Sequence, residues 1–246
     1  MRDRNVSGAR TFGRARRAGP FDLNILAIDT STLYAALAVA RADGFVFVAS
    51  PDPAQRHGRS LVPGIRDLLR ASGLALFEID ALAVGLGPGS YTGLRVGLTA
   101  AKTLAYTTGK PLVGLDSLEV IAHNAPPDTR RVAAIADAQR GDLYAAEFER
   151  PSLGAPLVRH TPTRIESRDA WLACLAPGTL VLGPDLDRLK PPLPDSVAVA
   201  TEMFGRPSGR HLIALARAAL ERGQCDDPWF LEPFYLRRSS AEEKAG

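Results

Sequence analysis

The sequence predicts an α/β protein built as two related lobes. Three observations lead there. Short apolar runs alternate with longer stretches in which apolar residues recur at helical spacing, which is the pattern of mixed strands and helices. Two of the runs end in aspartate, turn, and resume in the same letters: Ile28-Asp29 before Leu33-Tyr34-Ala35-Ala36, and Ala136-Asp137 before Leu143-Tyr144-Ala145-Ala146. A repeated strand–Asp–turn–strand hairpin suggests a duplicated lobe. Between the two hairpins lies a strand–glycine turn–helix unit, residues 85–105, that reads as the organising element of the first lobe.

The first lobe is expected over residues 21–115. Residues 23–29 form a short apolar run suited to a buried strand, and Asp29-Thr30-Ser31-Thr32 suits a tight turn. Residues 33–40 and 45–49 read as the next two strands, with Ala42-Asp43-Gly44 as a hairpin signal between them. Leu61, Val62, Ile65, Leu68 and Leu69 then follow helical spacing over residues 59–70, with Pro63 expected in the first turn and Gly73 as the stop. A strand over residues 79–86 leads into Gly87-Pro88-Gly89 and a helix of small and apolar residues that ends at Gly109. Ser90 or Thr92 is placed to cap that helix. Residues 112–115 are a further strand.

The second lobe is expected over residues 116–237. Residues 131–137 and 142–148 are strands around the turn Ala138-Gln139-Arg140-Gly141, residues 167–175 a short helix, and residues 178–183 a buried strand. Lys190-Pro191-Pro192-Leu193-Pro194 is a rigid loop. Residues 208–222 form a helix with Leu212, Ile213, Leu215, Ala216, Ala219 and Leu220 on its apolar face, expected to pack back on the first lobe. Residues 232–237 are extended and 238–246 form a solvated tail.

Composition excludes several classes. The hydrophobic and charged fractions, 46% and 23%, are those of an ordinary globular protein, and no apolar run is long enough for a membrane span. Cys174 and Cys225 have no CxxC or Cys/His spacing, which argues against a disulfide framework or structural zinc and for a cytoplasmic setting. The net charge of +3 hides an asymmetry: residues 1–20 hold six arginines against Asp3, so the rest of the chain is slightly acidic. The body therefore advertises no nucleic-acid groove, and the first 20 residues read as a basic, disordered extension.

The chemistry-bearing residues are sparse. His57, His123, His160 and His211 are scattered without HxxxH or HExxH spacing, so no metal site is expected from them. Gly87-Pro88-Gly89-Ser90 is neither a nucleophile elbow nor a Walker or dinucleotide fingerprint. A helix N-terminus after a glycine turn does bind anions readily, which makes Asp29, Thr30, Ser31, Gly87, Gly89 and Ser90 a candidate ligand turn, with Asp29 able to hold magnesium through water. The matching turn at Asp137 has a single glycine, with Gln139 and Arg140 where backbone would have to approach a phosphate. A different feature of the helix points to assembly. Gly93, Gly97, Ala101 and Ala105 recur every fourth residue and make a row of small side chains into which another helix could sink, either from this chain or from a partner.

Several passages together resemble the TsaB (YeaZ) family, which takes part in making threonylcarbamoyladenosine in tRNA. They are residues 25–32, His57 with Leu61-Val62-Pro63-Gly64-Ile65, residues 87–97, residues 137–144 and Glu232-Pro233-Phe234-Tyr235-Leu236-Arg237. The resemblance runs from residue 25 to 237 and its most specific part is the GPGSxTGLRxG segment. It implies an actin/Hsp70-like (ASKHA) two-lobed fold. It also implies a non-catalytic partner that binds TsaD as a heterodimer, with TsaE joining, and a homodimer as a state open to the free protein. ATP or ADP, threonylcarbamoyl-adenylate, metal and tRNA would be ligands of the complex rather than of this chain. TsaD itself carries a metal-binding HxxxH, and those positions here align with Ser117 and Ile121. The turn at Asp137 departs from the family's usual Asp-Ala-Arg-x-Gly by Gln139. The family's partner contact is a bundle of two helices from each protein, which makes Leu61, Val62, Ile65 and Leu69 of the first helix the candidate interface, with Gly93, Leu94, Gly97, Leu98, Ala101 and Ala105 of the second. The competing reading is an active enzyme on the same fold, a glycoprotease-like hydrolase or an ATP-dependent phosphotransferase. The missing HxxxH and the poor second turn count against it.

Overall fold

Strand β1 (Ile25–Asp29) is wholly buried at the centre of a five-stranded sheet. This is seen in a computed structural model that describes residues 22–236 except 53, 55, 56, 185 and 187–192. The basic residues 1–20, the tail 238–246, Arg237 and residues 190–192 of the proline loop lie outside the described residues. β2 (Ala36–Ala40) and β3 (Val46–Ala49) follow in an antiparallel meander, while β4 (Ala81–Gly85) and β5 (Leu112–Leu115) add in parallel on the other side. The order is β3-β2-β1-β4-β5.

The two faces of this sheet differ in side-chain size, and that difference sets what covers them. Successive residues of a strand point to opposite faces. Leu26, Ile28, Leu37, Val39, Leu82 and Val84 project to one side and pack against helices α1 (His57–Ser72) and α2 (Tyr91–Thr108). Ala27, Ala36, Ala38, Ala40, Ala81 and Ala83 project to the other, where α5 (Gly209–Glu221) lies. With alanine at six of the nine buried strand positions on that face, α5 can approach closely, and a Cβ on Gly209 would stand 2.9 Å from the Leu37 carbonyl oxygen. The last long helix thus covers the first lobe's sheet.

The second sheet repeats the plan. β6 (Arg131–Asp137) and β7 (Asp142–Glu149) form the antiparallel hairpin, and β10 (Thr179–Leu182) and β11 (Ala198–Val199) add in parallel beside β6. β8 (Val158–Arg159) and β9 (Arg164–Ser167) both pair with β7. Strand for strand, β1, β2, β4 and β5 correspond to β6, β7, β10 and β11. The repeated letters therefore reflect a repeated topology. The helices here are α3 (Ser117–Ala122), capped by Asp116, and α4 (Arg168–Cys174), whose Trp171 is completely buried.

Four expectations need correction. Residues 33–35 are not strand: Leu33 is 62% exposed, and the Thr32 hydroxyl bonds within the turn to Tyr34. α1 begins two residues earlier than its spacing implied, so Pro63 sits inside the helix rather than in its first turn, on the exposed side. Val62, expected on the apolar face, is 68% exposed. Most consequential is the row Gly93, Gly97, Ala101 and Ala105. It faces the chain's own sheet: a Cβ on Gly93 would fall 2.1 Å from the Thr30 carbonyl oxygen, and one on Gly97 2.1 Å from Thr30 Oγ1. Ala101 and Ala105 are fully buried in the same core, and Leu94 and Leu98 beside them are buried too. The small residues let α2 settle onto β1 and its turn. They do not face outward.

That contact is testable. Gly97→Ala forces a methyl group against the Thr30 hydroxyl and is expected to cost about 1–3 kcal/mol, the usual range for overpacking. Adding Thr30→Ala removes the clashing atom, so the double variant, measured by denaturant unfolding, should be more stable than the two single losses added together.

Candidate functional site

The two turns of the candidate ligand site do come together, but as a closed junction. β1 ends in Asp29, which is 0% exposed. One carboxylate oxygen accepts from the Ser31 backbone N–H at 2.7 Å and the other from the Ser117 hydroxyl at 2.8 Å. Ser117 Oγ in turn accepts from the Gly87 N–H at 3.1 Å, so one serine ties β1 to the glycine turn. Gly85 is required beside it, because a Cβ there would stand 2.1 Å from Asp29 Oδ2. Burial pushes the Asp29 carboxyl above its usual range, opposed by the hydrogen bonds from Ser31 and Ser117, while the charge of Asp116 adds to the rise. The carboxylate has no water-facing side from which to hold magnesium through water.

The N-terminus of α2 is also tied to the first turn. Ser90 caps it, accepting from the Gly93 N–H at 3.2 Å, while the Ser90 N–H donates to the Ser31 carbonyl at 2.7 Å. A Cβ on Gly89 would meet that same carbonyl oxygen at 2.2 Å. Thr30 donates its hydroxyl to the Gly93 carbonyl at 2.7 Å. Two of the N–H groups at this end are thus used within the protein, that of Ser90 by the neighbouring turn and that of Gly93 by the cap. Ser31 Oγ is buried without a partner.

The second hairpin repeats the device. The Gln139 N–H donates to Asp137 Oδ1 at 2.7 Å, as the Ser31 N–H does to Asp29. Gln139, Arg140 and Gly141 have φ of 64°, 58° and 86°, so two non-glycine residues occupy the left-handed region at the tip. His57 sits beside the first turn, its Nε2 2.8 Å from the Thr32 carbonyl oxygen. His123 caps α3, and His211 lies on α5 with its ring 6.1 Å from that of His123.

The outward face of α2 carries a feature that sequence reading missed. Arg95, Thr99, Thr103 and Thr107 recur every fourth residue and are exposed, on the face of the helix opposite the buried small residues. Thr103 Oγ1 donates to the Thr99 carbonyl and Thr107 Oγ1 to the Thr103 carbonyl, both at 2.8 Å. The hydroxyls turn back to the helix and the methyl groups are left outward. The row was visible as spacing, but nothing in the letters said which of two four-residue rows would be buried. At the N-terminal end, Arg95 stacks 4.1 Å from the Tyr91 ring centroid and donates to the Tyr235 hydroxyl at 3.0 Å. Lys102 donates to the Leu231 carbonyl, so the segment after α5 is strapped along α2.

Comparison with known proteins places this geometry. A family profile described as "TsaD: tRNA N6-adenosine threonylcarbamoyltransferase" matches residues 47–154. The tRNA threonylcarbamoyladenosine biosynthesis protein TsaB of Escherichia coli is 37% identical over 134 residues, which is 54% of this chain and 58% of that protein. TsaB of Bacillus subtilis is 30% identical over 227 residues, covering 90% of this chain and 97% of its own length. The chain belongs to the TsaB family. The structure of YeaZ from Pseudomonas aeruginosa superposes with a TM-score of 0.76 at 26% identity, covering 87% of this chain and all of that one. The two mixed sheets of this TsaB-family chain are those of an actin-like, two-lobed fold. Among the described residues no helix is long and apolar enough to cross a membrane.

The state of Asp29 has a measurable consequence. Its folded pKa lies above the unfolded value of 3.8, so its contribution to stability is full below pH 3.8 and is lost as pH rises through the folded value. Asp29→Asn removes the titrating group. The difference in unfolding free energy between variant and wild type should therefore shift in favour of the variant from pH 4 to pH 8. A difference that stays flat across that range would count against the assignment.

Proposed function

We propose that this chain is a non-catalytic docking subunit in the biosynthesis of threonylcarbamoyladenosine in tRNA, binding TsaD as a heterodimer that TsaE joins. The observation that carries the docking role is the outward face of α2. The hydroxyls of Thr103 and Thr107 are already bonded to their own helix, so covering those two with a partner helix strands no polar group. Small methyl-coated side chains let a second helix come close. Val62 and Pro63, exposed on the neighbouring α1, extend the surface. The interface proposed is therefore the outward rows of both helices, in place of the buried small-residue row.

The non-catalytic reading is supported by the closed junction. The positions aligned with the histidines of TsaD hold Ser117, hydrogen-bonded to Asp29, and Ile121, buried in the second lobe's core. Neither side chain serves as a ligand for such a metal. ATP or ADP, threonylcarbamoyl-adenylate, metal and tRNA are then ligands of the assembled complex. Asp29, Thr30 and Ser31 have structural contacts at the turn: Asp29 holds its own turn and the start of α3, while Thr30 and the Ser31 carbonyl hold the start of α2.

Co-expression with TsaD from the same organism tests both parts. The two proteins should co-purify at a fixed ratio, and the purified chain alone should neither turn over ATP nor transfer a threonylcarbamoyl group. Replacing Thr99 and Thr103 together by Arg puts bulk and charge on the proposed face. Affinity for TsaD should fall at least about tenfold, equivalent to roughly 1.4 kcal/mol, with the melting temperature unchanged because both sites are exposed. Unchanged binding would sink the interface, and activity of the chain alone would sink the subunit reading.

A further inference from the structure

The chain crosses from one lobe to the other twice, at residues 115–117 and at residues 206–209, and each crossing is braced by side chains that the docking reading does not use. At the first, Asp116 pairs with Arg159 of β8 at 3.0 Å, and Ser117 holds Asp29 of β1. Arg159 also reaches Glu119 of α3 at 2.8 Å.

The second crossing is held more elaborately. A 3-10 turn, Glu202–Gly205, leaves the second lobe, with Gly205 pressed so close that a Cβ would stand 2.0 Å from the Gly183 carbonyl oxygen. The next residue, Arg206, places its guanidinium 3.5 Å from the ring centroid of Tyr34, on the β1–β2 turn of the first lobe, and pairs with Glu202 at 2.6 Å. Beside it Asn124, at the end of α3, donates its amide to the Phe204 carbonyl at 2.8 Å and the Arg206 carbonyl at 2.7 Å. Its two amide hydrogens are thereby used, so Asn124 Oδ1 must accept from His211 Nδ1 of α5, 2.9 Å away. Burial and its neighbour His123 lower the His211 pKa to about 4, so the ring is neutral near pH 7, and the acceptor Asn124 Oδ1 selects its Nδ1–H tautomer. Asn124 belongs to the second lobe through α3, and His211 to the first through α5.

We propose that residues 202–206, with Tyr34, Asn124 and His211, form an interlobe clamp that holds the two lobes at one fixed angle. In a two-lobed fold whose connections are only two short crossings, the default is relative motion. Here each crossing carries contacts from both lobes. The first lobe is gripped at the β1–β2 turn by Arg206 and at α5 by Asn124, so opening the lobes must break a cation–π contact and a fully satisfied amide network together.

The protein's own cysteines supply the measurement. Cys174 on α4 and Cys225 next to β5 are both exposed, one in each lobe, and they are the only two in the chain. With nitroxide labels on both, electron–electron resonance should give one narrow distance distribution for the wild-type chain. Tyr34→Ala combined with Asn124→Ala should broaden it roughly twofold or add a second population, as expected when a minor state is released. The circular dichroism spectrum should be unchanged. If that double variant does not fold, Arg206→Ala provides the same readout at a half-exposed side chain, and Arg206→Lys, which keeps a cation over the ring, should give an intermediate width. A wild-type distribution that is already broad, or a narrow one that neither variant alters, overturns the clamp.

Discussion

The buried carboxylate of Asp29 is the constraint around which the first lobe is arranged. Removing a charged or polar group from water costs free energy unless partners replace the water. The chain supplies them from three directions: the Ser31 backbone, the Ser117 hydroxyl and, through Ser117, the glycine turn. Meeting that need brings the end of β1, the start of α2 and the start of α3 into contact. Gly85 has no side chain because the carboxylate occupies the space one would take. Gly89 and Gly93 are bare because the Thr30–Ser31 backbone lies against them. What looks in isolation like a cradle for an anion is occupied by the protein's own aspartate and carbonyl groups.

The same economy of space runs through the sheet. On one face leucine, isoleucine and valine meet two helices, and on the other a field of alanines meets one. The second hairpin keeps the aspartate and its hydrogen bond to the residue two further on, although its tip has drifted to Gln139 and Arg140 in the left-handed region. Two lobes of one topology thus share a local device while their surroundings differ. The first is locked into a helix, and the second ends in an exposed tip.

Much of this was legible in the letters. The hairpin repeat announced the duplication, and strands at residues 25–29, 81–85, 112–115, 131–137 and 179–182 lay where the apolar runs placed them. Ser90 and Gly109 bounded α2 as capping rules require. The short strands β8, β9 and β11 were not seen, because two- to four-residue segments carry too little pattern to stand out from loop. The direction of α2 was misjudged for a clearer reason. Small residues at every fourth position permit close approach but do not say what approaches, and only the position of Thr30 in space decides it. Ser117 and Arg206 were equally out of reach, since each acts on a residue far away in sequence. The candidate turn was assembled correctly from its residues, and its closure could be learned only from their distances.

The threonines of α2 have one more consequence. A surface meant to be covered is commonly greasy, and greasy surfaces hold on to whatever they meet. Here the outer row is not greasy: the Thr103 and Thr107 hydroxyls are turned to the helix, and the methyl groups are too small to make a large apolar patch. Such a face tolerates water when alone and tolerates a neighbour when bound. The grip of such a face on the proposed partner helix must then come from fit rather than from area.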